Sequence, residues 1–228
     1  MGSITLIRHG QASFGAADYD QLSALGVAQA EALGRWWKQT AAPSTWWSGS
    51  MKRHQQTAAA CADALGHAGS VNIDAGFNEF DHQEVLLRFR PEFADTQILA
   101  SRLATSSSPR RAFQELFAEA CSRWMSGQHD ADYRESWTVF VQRVMAALQR
   151  VMASPGRQHA VFTSGGTIAA VMQEVLHISD VHIMSLNWTL NNAGVSQVFY
   201  SHGRLGLSCL NTTSHLEICS DPQLLTYR

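Results

Sequence analysis

The sequence predicts an α/β fold, a three-layer sandwich in which a mostly parallel, mixed sheet lies between helices. Three observations carry that expectation. Short β-branched apolar runs alternate with stretches of helical spacing, in the order β-α-β-α-β, over the first third of the chain. The 228 residues are 45% hydrophobic and 16% charged, enough for a sizeable core and incompatible with disorder. A strand signal then returns after a long helical middle. Residues 1–228 therefore read as a single domain carrying a helical insertion at about 80–135.

The elements follow in order. Ser3 to Arg8 is a short β-branched apolar run, read as a buried strand and broken by His9-Gly10-Gln11. Leu25, Ala28, Ala32 and Trp36 recur at helical steps, with Ser23 as the N-cap. Thr45 to Ser48 reads as the second strand, Arg53 to Leu65 as a helix ending at Gly66, and Val71 to Ala75 as the third strand. Helical spacing dominates the middle, through Phe113, Leu116, Phe117, Ala120 and Trp124, then Trp137, Phe140, Val144, Ala147, Leu148 and Val151. A loop separates them from what precedes at Thr105 to Pro109. His159 to Thr163 is the returning strand, followed by Gly165-Gly166 and a helix to Leu176. Val195 to Tyr200 and Leu205 to Leu210 form a hairpin through His202-Gly203-Arg204.

Charge removes whole classes of function. The formal net charge is −2 with no basic run, so neither nucleic acid nor a membrane surface is expected as a partner. Cys61, Cys121, Cys209 and Cys219 are scattered without a CxxC pair, which fits incidental thiols in a reducing compartment. The first residues, MGSITLIRHG, read as neither a signal peptide nor a myristoylation site, and no run is long enough to span a membrane. A cytoplasmic protein is the expectation. The seven Trp residues leave room for a homodimer interface.

Arg8-His9-Gly10 directly follows the first strand, where open α/β sheets place their ligands. Arg offers a rigid fork of donors suited to phosphate oxygens. A neutral His offers a ring nitrogen that can attack phosphorus once the other nitrogen is pinned. Gly10 would let the backbone approach the ligand closely. Three residues alone recur by chance, but the segment Ser48 to Ala58 follows the second strand and opens the second helix with an Arg and a Gln-Thr-Ala. With Leu-Ile-Arg-His-Gly, this resembles the motifs of the histidine phosphatase (phosphoglycerate mutase-like) superfamily. The resemblance implies His9 as nucleophile and Arg8 and Arg53 as phosphate-binding groups. Phe77-Asn78-Glu79-Phe80 resembles the segment carrying the family's acid, so Glu79 would protonate the leaving oxygen. Glu135-Ser136 with Arg143, and Leu210 to Leu216, resemble structural segments of many members. Asn192 resembles a position near the phosphate in some relatives.

One departure stands out. The family usually has a second His after the fourth strand, in a Thr-His-Gly-Gly-like turn. Here the chain reads Thr163-Ser164-Gly165-Gly166-Thr167, with Ser164 at that place. Ser164 and Gly165 are expected at the phosphate. A Ser hydroxyl donates one hydrogen bond but brings no charge, a loss of roughly 1–2 kcal/mol if only the charge assistance goes. Three parts could compensate: the two guanidinium groups, the backbone N–H groups of the Gly165-Gly166-Thr167 helix start, or another His. His54, His82 and His215 are all candidates, and sequence reasoning does not choose among them.

No HExxH or paired His-Cys spacing marks a metal site, and no Walker loop, nucleotide-fold glycine fingerprint or Gly-x-Ser-x-Gly elbow is present. The resemblance implies a metal-free mechanism without a cofactor. It points to a phosphatase of small phosphomonoesters, because Gln11-Ala12-Ser13-Phe14-Gly15-Ala16 lacks the Trp-Asn stretch of cofactor-dependent phosphoglycerate mutases. Mutase-like phosphoryl transfer stays open as an alternative. So does a weakly active or inactive relative that binds a phosphorylated ligand or a protein. Hydrolysis by the parent, compared with a Ser164→His variant, separates the binding reading from the enzymatic one. Arg88, Arg90, Arg110 and Arg111 either grip a second acidic group or are surface charge.

Overall fold

The computed structural model describes residues 1–13 and 20–227, the side chain of Val181 apart. Phe14, Gly15 and Ala16 of the segment weighed against the mutases lie outside the described residues. A six-stranded mixed sheet runs through the molecule in the order β3-β2-β4-β1-β5-β6. β1 (Gly2–Arg8), β2 (Thr45–Ser48), β3 (Val71–Ile73) and β4 (Gln158–Thr163) are mutually parallel. β5 (Val195–Ser201) and β6 (Arg204–Thr212) add an antiparallel edge. No helix among the described residues is long and apolar enough to cross a membrane.

Side chains alternate across the sheet, as the period of two requires. Ile7, Trp46, Ala160 and Phe162 pack on α1 (Ala24–Gln39) and α2 (Lys52–Leu65). Ile4, Leu6 and Val161 turn to the opposite face, under α6 (Trp137–Ala153) and α7 (Gly165–Leu176). The helix ends follow local chemistry. Ser23 caps α1 by accepting from the Gly26 N–H at 3.1 Å. Gly66 ends α2 in the left-handed conformation, φ 78°. The β5–β6 turn has positive φ at both His202 and Gly203, the mirror-image turn that suits strand twist.

Between β3 and α6 the chain forms α3 (His82–Phe89), α4 (Thr96–Ala104) and α5 (Pro109–Met125). α8 (Asp180–Thr189) follows α7, and a short α9 (Ser214–Glu217) follows β6. Phe80 joins this helical layer to the sheet through Trp124 and Phe140, with ring centroids 4.6 and 5.7 Å away. α5 also reaches α8, so the helical layer lies over the end of the sheet where β4 runs into α7. One detail differs from the sequence reading. β3 stops at Ile73, because the Asp74 carboxylate accepts from Gly76 N–H and turns the chain before Ala75. Of the seven Trp, four are buried and three half-buried.

Candidate active site

The site forms where β1 and β4, adjacent and parallel, reach their carboxyl ends together. His9 is the first residue past β1, and its backbone N–H donates to the Thr163 carbonyl at 2.8 Å. Its carbonyl accepts from Ala193 N–H at 3.2 Å and from the Asn192 amide at 3.4 Å. Two segments thus hold one residue. The ring is held as firmly: Nδ1 lies 2.7 Å from the Gly10 carbonyl, and Nε2 accepts from Arg53 Nε at 3.2 Å. A carbonyl can only accept and a guanidinium can only donate. The proton therefore sits on Nδ1, and the lone pair on Nε2. Burial, then the charges of Arg53 and Arg8 and neighbouring His54, push the His9 pKa well below its ordinary value. A neutral imidazole with a defined lone pair is what nucleophilic attack requires.

Arg53 enters from the first turn of α2 and is 3% exposed. Its Nη1 lies 2.8 Å from Asp20 Oδ1, and the other oxygen of that carboxylate accepts from Lys52 N–H at 2.9 Å. Asp20 thus fills the anion-favouring start of α2 and aims the guanidinium while it does so. The Gln-Thr-Ala motif has a clear structural use. Thr57 Oγ1 accepts from Gly10 N–H at 3.1 Å and donates to the Arg53 carbonyl, and Gln56 accepts from Leu22 N–H. Gly10 is in close contact with α1. A Cβ there would meet the Gly26 carbonyl oxygen at 2.3 Å, so its lack of a side chain lets α1 pack against the site. Arg8 donates from Nη1 to the Leu190 carbonyl and lies along Gly165, where a Cβ would come within 3.5 Å of its Nε.

The β4–α7 turn carries the other half. Thr163 Oγ1 donates to the Phe77 carbonyl at 2.6 Å, and Thr167 Oγ1 to the Phe77 and Asn78 carbonyls. That pins the segment before Glu79. The Glu79 carboxylate accepts from Gly166 N–H at 3.1 Å, so this part of the helix start, expected to cradle phosphate, serves a carboxylate instead. Ser164 is fully buried, and its Oγ lies 2.5 Å from His54 Nε2. The His54 ring is 5.7 Å from that of His9, centroid to centroid. Of the three histidines that could stand in for the missing one, His54 lies against Ser164 and His9. His82 bonds the Phe80 carbonyl and lies between Phe80 and Phe117. His215 is buried near Ala193, its pKa lowered to about 4 by burial.

A family model described as the histidine phosphatase superfamily (branch 1) matches residues 4–126 and 104–213 of this chain. The chain belongs to the histidine phosphatase superfamily. No curated protein sequence matches it. Among solved structures, a phosphoserine phosphatase mutant from Entamoeba histolytica, in complex with phosphoserine, is 17% identical with a TM-score of 0.65. It covers 95% of this chain and 100% of its own. A phosphoglycerate mutase from Bacillus anthracis is 16% identical with a TM-score of 0.65, over 96% of this chain and 97% of its own. A mycobacterial glucosyl-3-phosphoglycerate phosphatase in complex with vanadate is 19% identical with a TM-score of 0.60, over 93% and 100%. At these identities the likeness is one of histidine phosphatase fold.

Asn192 touches the backbone of His9 with its amide and accepts from Thr226 Oγ1 with its oxygen. The other expected residues make their contacts away from His9. Arg143 clamps Glu135 in two bonds of 2.7 and 2.9 Å and donates to the carbonyls of Ala75, Gly76 and Asn78. It braces the approach to Glu79. Arg88 and Arg111 pair with Glu84 and Glu115 on their own helices, Arg110 is exposed, and Arg90 lies over Phe89. Sequence reasoning missed Asp20 altogether. Nothing in its neighbourhood signals that it will meet the start of α2, some thirty residues away.

Proposed function

We propose that this histidine phosphatase hydrolyses small phosphomonoesters through a phosphohistidine on His9. One observation carries the reading above the rest. The Gly10 carbonyl and Arg53 together fix the His9 tautomer, and burial keeps the ring uncharged, which leaves Nε2 with its lone pair beside the Arg53 guanidinium as the nucleophile.

In the first step, Nε2 forms a bond to phosphorus as the bond from phosphorus to the ester oxygen breaks. Glu79, as the carboxylic acid, delivers its proton to the departing alkoxide. In the second step, water attacks the phosphoryl group and passes a proton to the Glu79 carboxylate. The phosphorus–nitrogen bond breaks and inorganic phosphate leaves. Arg8 and Arg53 spread the charge of the transferring group, with Ser164 and Gly165 at its remaining oxygens. Arg53 Nε must leave Nε2 before attack, and a dianion arriving between the guanidinium groups is the partner that draws it away. The names of the structural neighbours, phosphoserine phosphatase and glucosyl-3-phosphoglycerate phosphatase, agree with a small phosphorylated substrate.

Release of phosphate from p-nitrophenyl phosphate tests this. The wild-type chain is expected to turn over and a His9→Ala variant to lose at least about a thousandfold in kcat. A wild-type chain that binds vanadate without turnover would establish the binding-module alternative instead.

A further inference from the structure

His54 has no role in the steps above, yet it is a fully buried imidazole within the catalytic cluster. Buried polar groups need partners, and among the described residues this one has a single hydrogen bond, to Ser164 Oγ. Its Nδ1 has no hydrogen-bond partner among the described residues, and Gly49 closes over it: a Cβ at that glycine would meet Nδ1 at 2.3 Å. Ser164 is equally unusual. It is the N-cap residue of α7, where a Ser hydroxyl normally accepts from the helix, but its side chain makes no capping bond. The N–H it would serve two residues on belongs to Glu79. The hydroxyl has been given up by the helix and committed to His54.

The proton on His54 decides what Ser164 can do. Were it on Nδ1, a buried N–H would lack an acceptor, and Nε2 would consume the Ser164 hydroxyl proton. Ser164 would then present only lone pairs to an incoming anion. With the proton on Nε2, His54 donates to Ser164 Oγ and leaves the hydroxyl proton to point into the pocket. An unsatisfied buried donor is the costlier fault, so the second arrangement is favoured.

Resting on the phosphoryl-transfer reading, we infer that His54 is a positioning residue that holds Ser164 as a hydrogen-bond donor to the transferring phosphoryl group. The two side chains, from α2 and from the β4–α7 turn, together do the work that one imidazole at position 164 would do. This also changes the meaning of the simple Ser164→His replacement. With Ser164 Oγ 2.5 Å from His54 Nε2 in a fully buried turn, a larger side chain has no room unless His54 is truncated as well.

The test is a set of full-length variants assayed on p-nitrophenyl phosphate: His54→Ala, His54→Gln, Ser164→Ala, the double alanine variant, and Ser164→His combined with His54→Ala. Each single alanine change is expected to lower kcat by about ten- to a hundredfold, with KM altered less than about threefold. The double alanine variant should be no worse than the poorer single, because the pair acts as one unit. His54→Gln keeps an N–H for Ser164 and should stay within about fivefold of wild type. The combined Ser164→His variant should regain at least about tenfold over His54→Ala. Losses that multiply in the double variant would overturn the inference. So would a folded His54→Ala with wild-type kcat, or the absence of any gain on relocating the imidazole. If His54→Ala does not fold, His54→Gln against Ser164→Ala decides: the first keeps both the donor and the hydroxyl it positions and should stay near wild type, the second removes the hydroxyl and should not. A wild-type chain that turns over, with a His9→Ala variant that does not, keeps the phosphatase reading intact whatever His54 shows. A wild-type chain without turnover ends both.

Discussion

Gly166→Ala isolates the placement of Glu79 without touching its carboxyl group. A Cβ at position 166 would lie 2.2 Å from Glu79 Oε1 and 2.8 and 2.9 Å from the Phe80 ring. Phe80 cannot retreat, because Trp124 and Phe140 pack against it and it is 5% exposed. The carboxylate must therefore move by more than about 1 Å to reach ordinary van der Waals separation and give up its Gly166 N–H bond. Overpacking costs about 1–3 kcal/mol and the lost bond about 1, against a gain of up to about 1 from alanine in a helix. A net loss of about 2 kcal/mol leaves the chain folded. The kinetic effect depends on the leaving group. An alkyl phosphate such as phosphoserine needs a proton on its departing oxygen, and displacing the acid by this much should cost about a hundredfold in kcat/KM, which excludes the later hydrolysis of phospho-His9 common to all esters. p-Nitrophenol leaves as a stabilised anion, so the same variant should lose less than about tenfold on its ester. Steady-state kcat/KM on both esters, beside a thermal melt, is the assay. Equal losses on the two would refute the general-acid assignment of Glu79.

Other outcomes follow from the same geometry. Arg143→Ala breaks the brace on residues 75–78, and is expected to lower the melting temperature and to repeat the leaving-group asymmetry more mildly, about tenfold against about twofold. The lowered pKa of His9 means that protonation inactivates the nucleophile only well below pH 6.5. With substrate ionisation divided out, kcat/KM should not show a half-loss near pH 6.5, and one there would contradict the buried, neutral His9. His215 titrates at about 4 when folded and near 6.5 when unfolded, so the unfolded chain binds its proton first as pH falls. Stability should therefore drop by about 3 kcal/mol between pH 6.5 and 4 on account of this residue. Denaturant melts of a His215→Asn variant should show a shallower pH dependence over that window.

Much of this was legible in the chain itself. The first β-α-β-α-β run carries clean punctuation, with Ser23 capping α1 and Gly66 closing α2, and those boundaries depend on neighbouring residues alone. The short helices α3, α4 and α8 were not legible, because about two turns give too little periodicity to distinguish from a loop. In the site, Arg8, His9 and Arg53 announced themselves by lying beside strand ends in a known pattern. His54 and Asp20 did not. Each matters through a contact across the fold, His54 to Ser164 and Asp20 to Arg53, and a single sequence does not reveal which distant residues meet. Arg143 was recognised by its surroundings, but its bonds to three carbonyls before Glu79 depend on how α6 packs, which no local spacing encodes.

The most direct measurement is a chemical trap. The chain is incubated briefly with a radiolabelled phosphomonoester, quenched in base and digested, and the label is sought on the peptide containing His9. A base-stable, acid-labile adduct on that imidazole, absent from His9→Ala, is the predicted result. Turnover with no such adduct under rapid quench, or label surviving acid on a Ser or Thr, would contradict the assignment of His9 as the group that receives the phosphoryl.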